Sequence, residues 1–198
     1  MHLVQRLYRD VLLPEEINRR VVTAAVPAMR TLPGFLGYTL VDFRGGRLGS
    51  YSMFAGKAGA ERMAMDVPGL TRGTLRDLIQ LPPEVRAGEV VLHRRVAGRA
   101  ETMVVRHHGG CTDAPELARR IDTLILPRLA ALAGFHGYTL VDEGAGRVTS
   151  LSLFGTRAEL EAAEAVAAPL EALHLAELLP GAAETMVGRV LSDNRAQG

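Results

Sequence analysis

The stretch Leu32-Pro33-Gly34-Phe35-Leu36-Gly37-Tyr38-Thr39-Leu40-Val41-Asp42 is nearly rewritten one hundred positions later as Leu132-Ala133-Gly134-Phe135-His136-Gly137-Tyr138-Thr139-Leu140-Val141-Asp142. The match continues through Gly46/Gly146, Arg47/Arg147, Ser50/Ser150, Ser52/Ser152 and Phe54/Phe154. Of the 23 aligned pairs from Leu32 to Phe54, 14 are identical, where chance pairing at ordinary residue usage gives about one or two. A duplication of this kind restricts the chain to two copies of one folding unit. With 198 residues in all, each copy holds about a hundred, a size at which a single core is modest. The expected division is 1–97 and 98–198, with Ala97-Gly98-Arg99 as the linker.

Each copy reads as strand, helix, strand, strand, helix, strand. Residues 2–9 alternate as a first strand. Pro14-Glu15-Glu16 then opens a helix, because proline suits the first turn and acids complement its positive end. Ile17, Val21, Ala24, Ala25, Ala28 and Leu32 follow at helical spacing. Pro27, matched by Pro127, is expected to kink or end that helix. Phe35–Asp42 and Arg47–Phe54 form a hairpin around a four-residue loop, with Asp42 expected opposite Arg47 and Tyr38 opposite Tyr51. A second helix from Lys57 and a strand over Gly88–Val96 complete the first copy. In the second copy Glu101–His107 is a strand, Asp113-Ala114-Pro115-Glu116 has capping-box spacing, and a helix from Thr156 is expected to break at Pro169. Asn194–Gly198 reads as a frayed tail.

Both faces of the hairpin are apolar: Phe35, Val41, Leu48 and Phe54 are assigned to one, and Leu36, Tyr38, Leu40, Tyr51 and Met53 to the other. An antiparallel sheet covered on one side only would alternate apolar with polar residues. Each copy has only two helices, enough for one face, so the second is expected to be covered by the other copy's sheet. The fold class that follows is α+β: two ferredoxin-like βαββαβ repeats packed sheet to sheet or closed into one intramolecular barrel, helices outside, as a pseudo-dimer.

Charge and composition exclude several classes. The formal net charge of +1 with no blocks of one sign argues against nucleic acid and anionic membranes as partners. The residues after Met1 show no apolar signal segment, and no run approaches the ~20 apolar residues of a membrane helix. Cys111 is the single cysteine, which fits a reducing, cytoplasmic setting.

With this element order, Pro33-Gly34-Phe35-Leu36-Gly37-Tyr38 after a helix, a hairpin ending in Phe54 and the late strand Gly88-Glu89-Val90-Val91, the chain resembles the antibiotic biosynthesis monooxygenase-like family of the dimeric α+β barrel superfamily. The second copy repeats the signature in Gly134-Phe135-His136-Gly137-Tyr138, Thr156-Arg157-Ala158-Glu159 and Glu184-Thr185-Met186-Val187. The resemblance covers the whole chain twice, as a fused version of a domain that commonly pairs with itself. It implies cofactor-independent oxidation of quinol-like aromatics, haem degradation, or binding without chemistry. The haem-degrading branch typically uses Asn, Trp and His, and the monooxygenase branch Asn, Trp and Arg. This chain has no Trp, and its asparagines are Asn18 and Asn194. No cofactor and no metal are called for.

The remaining candidates for a ligand pocket are Tyr38, Tyr51, Tyr138 and His136, read as sharing one face, with Arg6 and Arg106 on the first strands. The preferred reading makes the tyrosines inter-sheet core with satisfied hydroxyls. The alternative makes them a pocket that holds a small hydrophobic or aromatic ligand and polarises its hydroxyl. His107-His108-Gly109-Gly110-Cys111 reads as a strand end, because neighbouring histidines on a strand point to opposite faces and zinc wants three or four ligands. Asp42/Arg47 and Asp142/Arg147 read as hairpin ion pairs. Tandem RNA-recognition modules share this element order, but Tyr51 becomes Leu151 and no basic-aromatic signature accompanies it. The sequence therefore points to a small-molecule-binding barrel, with a monooxygenase acting on a phenolic or quinol-like substrate as one function and a non-catalytic binding or assembly module as the other. Further homo-oligomerisation is left open.

Overall fold

A computed structural model of the chain describes residues 1–195, with backbone alone for 64–72 and 195. Its elements are β1 (His2–Tyr8), α1 (Pro14–Arg20), α2 (Val26–Arg30), β2 (Phe35–Arg44), β3 (Arg47–Phe54), α3 (Lys57–Thr74) and β4 (Glu84–Arg95). The second copy repeats them as β5 (Thr102–His108), α4 (Ala114–Arg120), α5 (Leu126–Ala130), β6 (Phe135–Gly144), β7 (Arg147–Phe154), α6 (Arg157–His174) and β8 (Glu184–Arg195). The strands hydrogen-bond in the order β1-β3-β2-β8-β5-β7-β6-β4 as a closed barrel. This is the α+β fold of two fused ferredoxin-like repeats. Two compact units are present: residues 1–89 with the chain from Gly188 on, and Val90–Val187. The long strands β4 and β8 are each divided between the units.

In the first unit β1 lies between β3 and β4, and β2 lies between β3 and the last residues of β8, all antiparallel. One face of this sheet carries Val4, Tyr8, Tyr38, Leu40, Leu48 and Phe54 under the helices, packed on Ile17, Val21, Met29 and Met63. In the second unit the same face carries Val104, Phe135, Leu140, Val148 and Phe154 against Leu117, Ile121, Leu129 and Leu160. A T-shaped aromatic pair recurs in each, Phe35–Phe54 at 5.7 Å and Phe135–Phe154 at 5.8 Å between ring centroids. Away from the helices the sheets are buried too: Val41, Val105 and Val141 are 0% exposed, and Tyr51 and Leu151 are buried beside them. Both faces are buried, as the doubly apolar hairpin requires.

Two local expectations, the hairpin register and the break at Pro169, are corrected, and the interruption at Pro27 and Pro127 takes a specific form. The hairpin register is shifted by one: Tyr38 pairs with Ser52 and Thr39 with Tyr51, because irregularities fall between Phe35 and Gly37 and again between Asp42 and Arg44. A slip of one residue exchanges the faces, so Tyr38 and Leu40 join Leu48 and Phe54 under the helices, opposite Tyr51. The connection is a two-residue Gly45-Gly46 turn, with both glycines at positive φ. Asp42 does not pair with Arg47; its Oδ1 accepts the Arg44 N–H at 2.8 Å, and Asp142 does the same for Gly144.

The interrupted first helix is a second finding. A π-helical turn, Val21–Ala25, joins α1 to α2, and Ile121–Ile125 joins α4 to α5. Each stands just before a proline, and the N–H of Val26 bonds back five residues to the Val21 carbonyl, as Leu126 does to Ile121. The widened turn carries the chain past a residue that lacks a donor and crowds the preceding carbonyls. Third, Pro169 does not break α6, which runs on to His174. Ala165, whose carbonyl loses its partner, is exposed, as is Pro169, so water can satisfy the group. Asn194 and Arg195 belong to β8, and the rest of the expected tail lies outside the described residues.

Candidate functional site

On β5, Arg106 and His108 are two residues apart and therefore face the same way, toward the helices. Tyr138 and Leu140 on β6, Val148 and Ser150 on β7, and Glu171, Leu175 and Leu179 on and after α6 meet them. They enclose a cavity of about 260 Å³ within the second unit. Its equivalent in the first unit, lined by Arg6, Tyr8, Tyr38, Leu40, Leu48 and Ser50, holds about 30 Å³. Tyr8 and Met63 line the smaller cavity, and Tyr8 stands at the position of His108 in the larger.

The electrostatics of the larger cavity centre on Arg106. Its guanidinium donates to Glu164 on α6 in a partly buried ion pair. Burial raises the Glu171 carboxyl above its ordinary value, the Arg106 charge works against that, and Glu164 adds to it. One cation thus faces two carboxyl groups, and Glu171 is the one inclined to hold a proton. Burial keeps the Tyr138 phenol protonated, helped by Glu171, while its hydrogen bond with Ser150 and the charge of Arg106 oppose this. Burial, and after it the charges of Arg106 and His107, hold His108 below the usual imidazole value, so the ring is neutral near pH 7. Its Nδ1 is buried and, among the described residues, has no hydrogen-bond partner. A neutral imidazole with a vacant nitrogen can accept a proton.

The sequence candidates are divided by the fold. Arg106 and Tyr138 line the large cavity, and Arg6 and Tyr38 the small one. Tyr51 is on the opposite face of the sheet, packed so closely over Gly49 that a Cβ there would stand 2.8 Å from its hydroxyl. His136 sits at the β6 irregularity, where its carbonyl accepts the Val96 N–H at 3.1 Å and its ring lies against Gly98. Tyr51 and His136 are therefore not companions of Tyr138. His107 and His108 do point apart: His107 Nδ1 is 2.7 Å from Thr149 Oγ1 on the face away from the helices. Among the described residues no group of three or more potential metal ligands gathers. Reading the histidine pair only as a strand end passed over His108. Laying the two copies side by side would have drawn attention to it, since Tyr8 stands against His108 in the aligned sequences and Glu164 and Glu171 have no acidic counterpart one hundred positions earlier.

No family model matches the sequence, and no curated protein matches it. Solved structures do match its fold. A Fusobacterium nucleatum protein described as "Putative monooxygenase" superposes with a TM-score of 0.73 at 9% identity, covering 100% of this chain and 95% of its own. An anthrone oxidase-like protein gives 0.65 at 13% identity over 100% and 94%. A Listeria monocytogenes ferredoxin-fold protein related to antibiotic biosynthesis monooxygenases gives 0.55 at 8% over 99% and 95%. At these identities the likeness is one of fold. The closed eight-stranded barrel with helices outside is the fold this chain shares with them. No helix is long and apolar enough to cross a membrane among the described residues.

Proposed function

We propose that the second-unit cavity binds a small neutral aromatic alcohol of the phenol or quinol class, and that His108 receives its hydroxyl proton. The observation that carries this reading is a cavity of about 260 Å³ whose wall holds a neutral imidazole with a free Nδ1. The volume suits a ligand of one or two rings, near the lower end for small-molecule sites. Leu117, Ile121, Leu140 and Leu175 supply apolar contact for a flat ring, while His108, Tyr138 and Ser150 give it polar anchors. Because Glu164 already neutralises Arg106, a neutral ligand fits better than an anion.

Removing the phenolic proton makes the ring electron-rich, the state in which such compounds react with dioxygen. A monooxygenase of this kind places one oxygen atom in the product and the other in water, and the substrate itself gives up the two hydrogens and two electrons. Structural neighbours described as a "Putative monooxygenase" and an "anthrone oxidase-like protein" support this extension. Binding of a hydroquinone or naphthol series followed by calorimetry, with oxygen uptake recorded in parallel, tests both levels. Binding that is constant from pH 8 to about 6.5 and weakens below it is expected, since protonating His108 removes the acceptor. Binding with no oxygen uptake would leave a non-catalytic module; no binding would refute the proposal.

A further inference from the structure

Arg6 in the first unit is the counterpart of Arg106 and is 6% exposed. Where Arg106 has Glu164 and Glu171, the matching positions are Ala64 and Thr71, which cannot supply a carboxylate. The Arg6 Nη1 atom is buried and has no hydrogen-bond partner among the described residues. An arginine stays charged in proteins, and a buried charge without a counter-charge is strongly disfavoured. The cavity beside it, about 30 Å³, is lined by the hydroxyl-bearing Tyr8, Tyr38 and Ser50 together with apolar side chains. Tyr8 and Tyr38 both hydrogen-bond with Ser50. About 10–15 Å³ admits one water, so the space takes a monatomic ion or two waters and nothing larger.

We infer that the Arg6 cavity is a binding site for a small monovalent anion of the halide class, chloride in the cell, which supplies the counter-charge that Glu164 supplies in the second unit. The inference is independent of what the larger cavity binds. Its direct test is anomalous diffraction from crystals of the full chain soaked in sodium bromide. A bromide peak within hydrogen-bonding reach of Arg6 Nη1 is expected; water density without an anomalous signal would overturn the inference. In solution, chloride at fixed ionic strength should raise the melting temperature saturably, by about 3–6 °C at ten times its dissociation constant. Gluconate, too large to enter, should not. The increment should vanish in Arg6→Met, whose side chain fills the same space without charge. Equal chloride increments in the two proteins would count against the site. Should Arg6→Met fail to fold, the bromide map of the unaltered chain decides.

Discussion

Single positions decide which copy can hold a ligand. Tyr8 and His108 occupy the same strand position, and the tyrosine accompanies the smaller cavity. His108→Tyr should therefore fold, because the first unit already accommodates that ring, and should weaken aromatic-alcohol binding by at least about tenfold, the cost of losing one polar contact and the space around it. Calorimetry on the variant checks this. A second group of differences concerns packing. In the first unit Phe43 and Tyr51 close over Gly49, where a Cβ would stand 2.6 Å from the Phe43 ring. In the second unit Leu151 replaces the tyrosine, and Thr149 donates to Glu143 and bonds His107. Tyr51 against Leu151 is legible in the sequence as divergence. Its meaning is not, because the three positions meet only once the register is known.

At the scale of elements, periodicity specified strands and helices well, and its failures share a cause. The hairpin register, the π-helical turns and the uninterrupted α6 all turn on one inserted or bypassed residue. A strand pattern of period two cannot reveal an irregularity that exchanges its faces, so it makes Tyr38 and Tyr51 neighbours although their backbones lie on opposite sides. Turn and cap chemistry was more readable. Asp113 accepts the Glu116 N–H at 2.9 Å, the bond its capping spacing implies. Glu116 in turn takes hydrogen bonds from Arg119 and Arg120, and Arg120 continues to Glu177 beyond α6; Glu16, Arg19, Arg20 and Asp77 repeat the arrangement. The two arginines hold the Glu116 carboxyl down to about 2, from 4.5. A carboxyl depressed in the folded state contributes stability above its unfolded value and loses it as pH falls. Glu116→Gln should accordingly melt below the parent at pH 6, with the gap closing between about pH 4.5 and 2 and shrinking in high salt, since the network is exposed. Thermal melts across that range measure it.

For the molecule as a whole, the duplication in the sequence implied the barrel, while the composition of each unit was beyond it. The first unit takes its last strand residues from the far end of the chain: Asp42 pairs with Arg189 and Thr39 with Asp193, whose carboxylate accepts the threonine hydroxyl at 3.0 Å. Residues 1–97 expressed alone would leave the β2 edge unpaired. They should be aggregated, molten or self-associated, and a stable monomer in sedimentation would contradict this. The two copies thus share a fold and differ in what lines their helix-side cavities: Arg106 paired with Glu164 beside His108 in one, and in the other, among the described residues, Arg6 with an unpartnered Nη1 beside Tyr8 and Tyr38. Amide chemical-shift mapping of the full chain, titrated with a hydroquinone, tests this division most directly. Shifts confined to β5, β6, β7 and α6 around His108, Tyr138 and Ser150 are predicted. Shifts centred on Tyr8 and Tyr38, or none at saturating ligand, would contradict the assignment of the ligand site to the second unit.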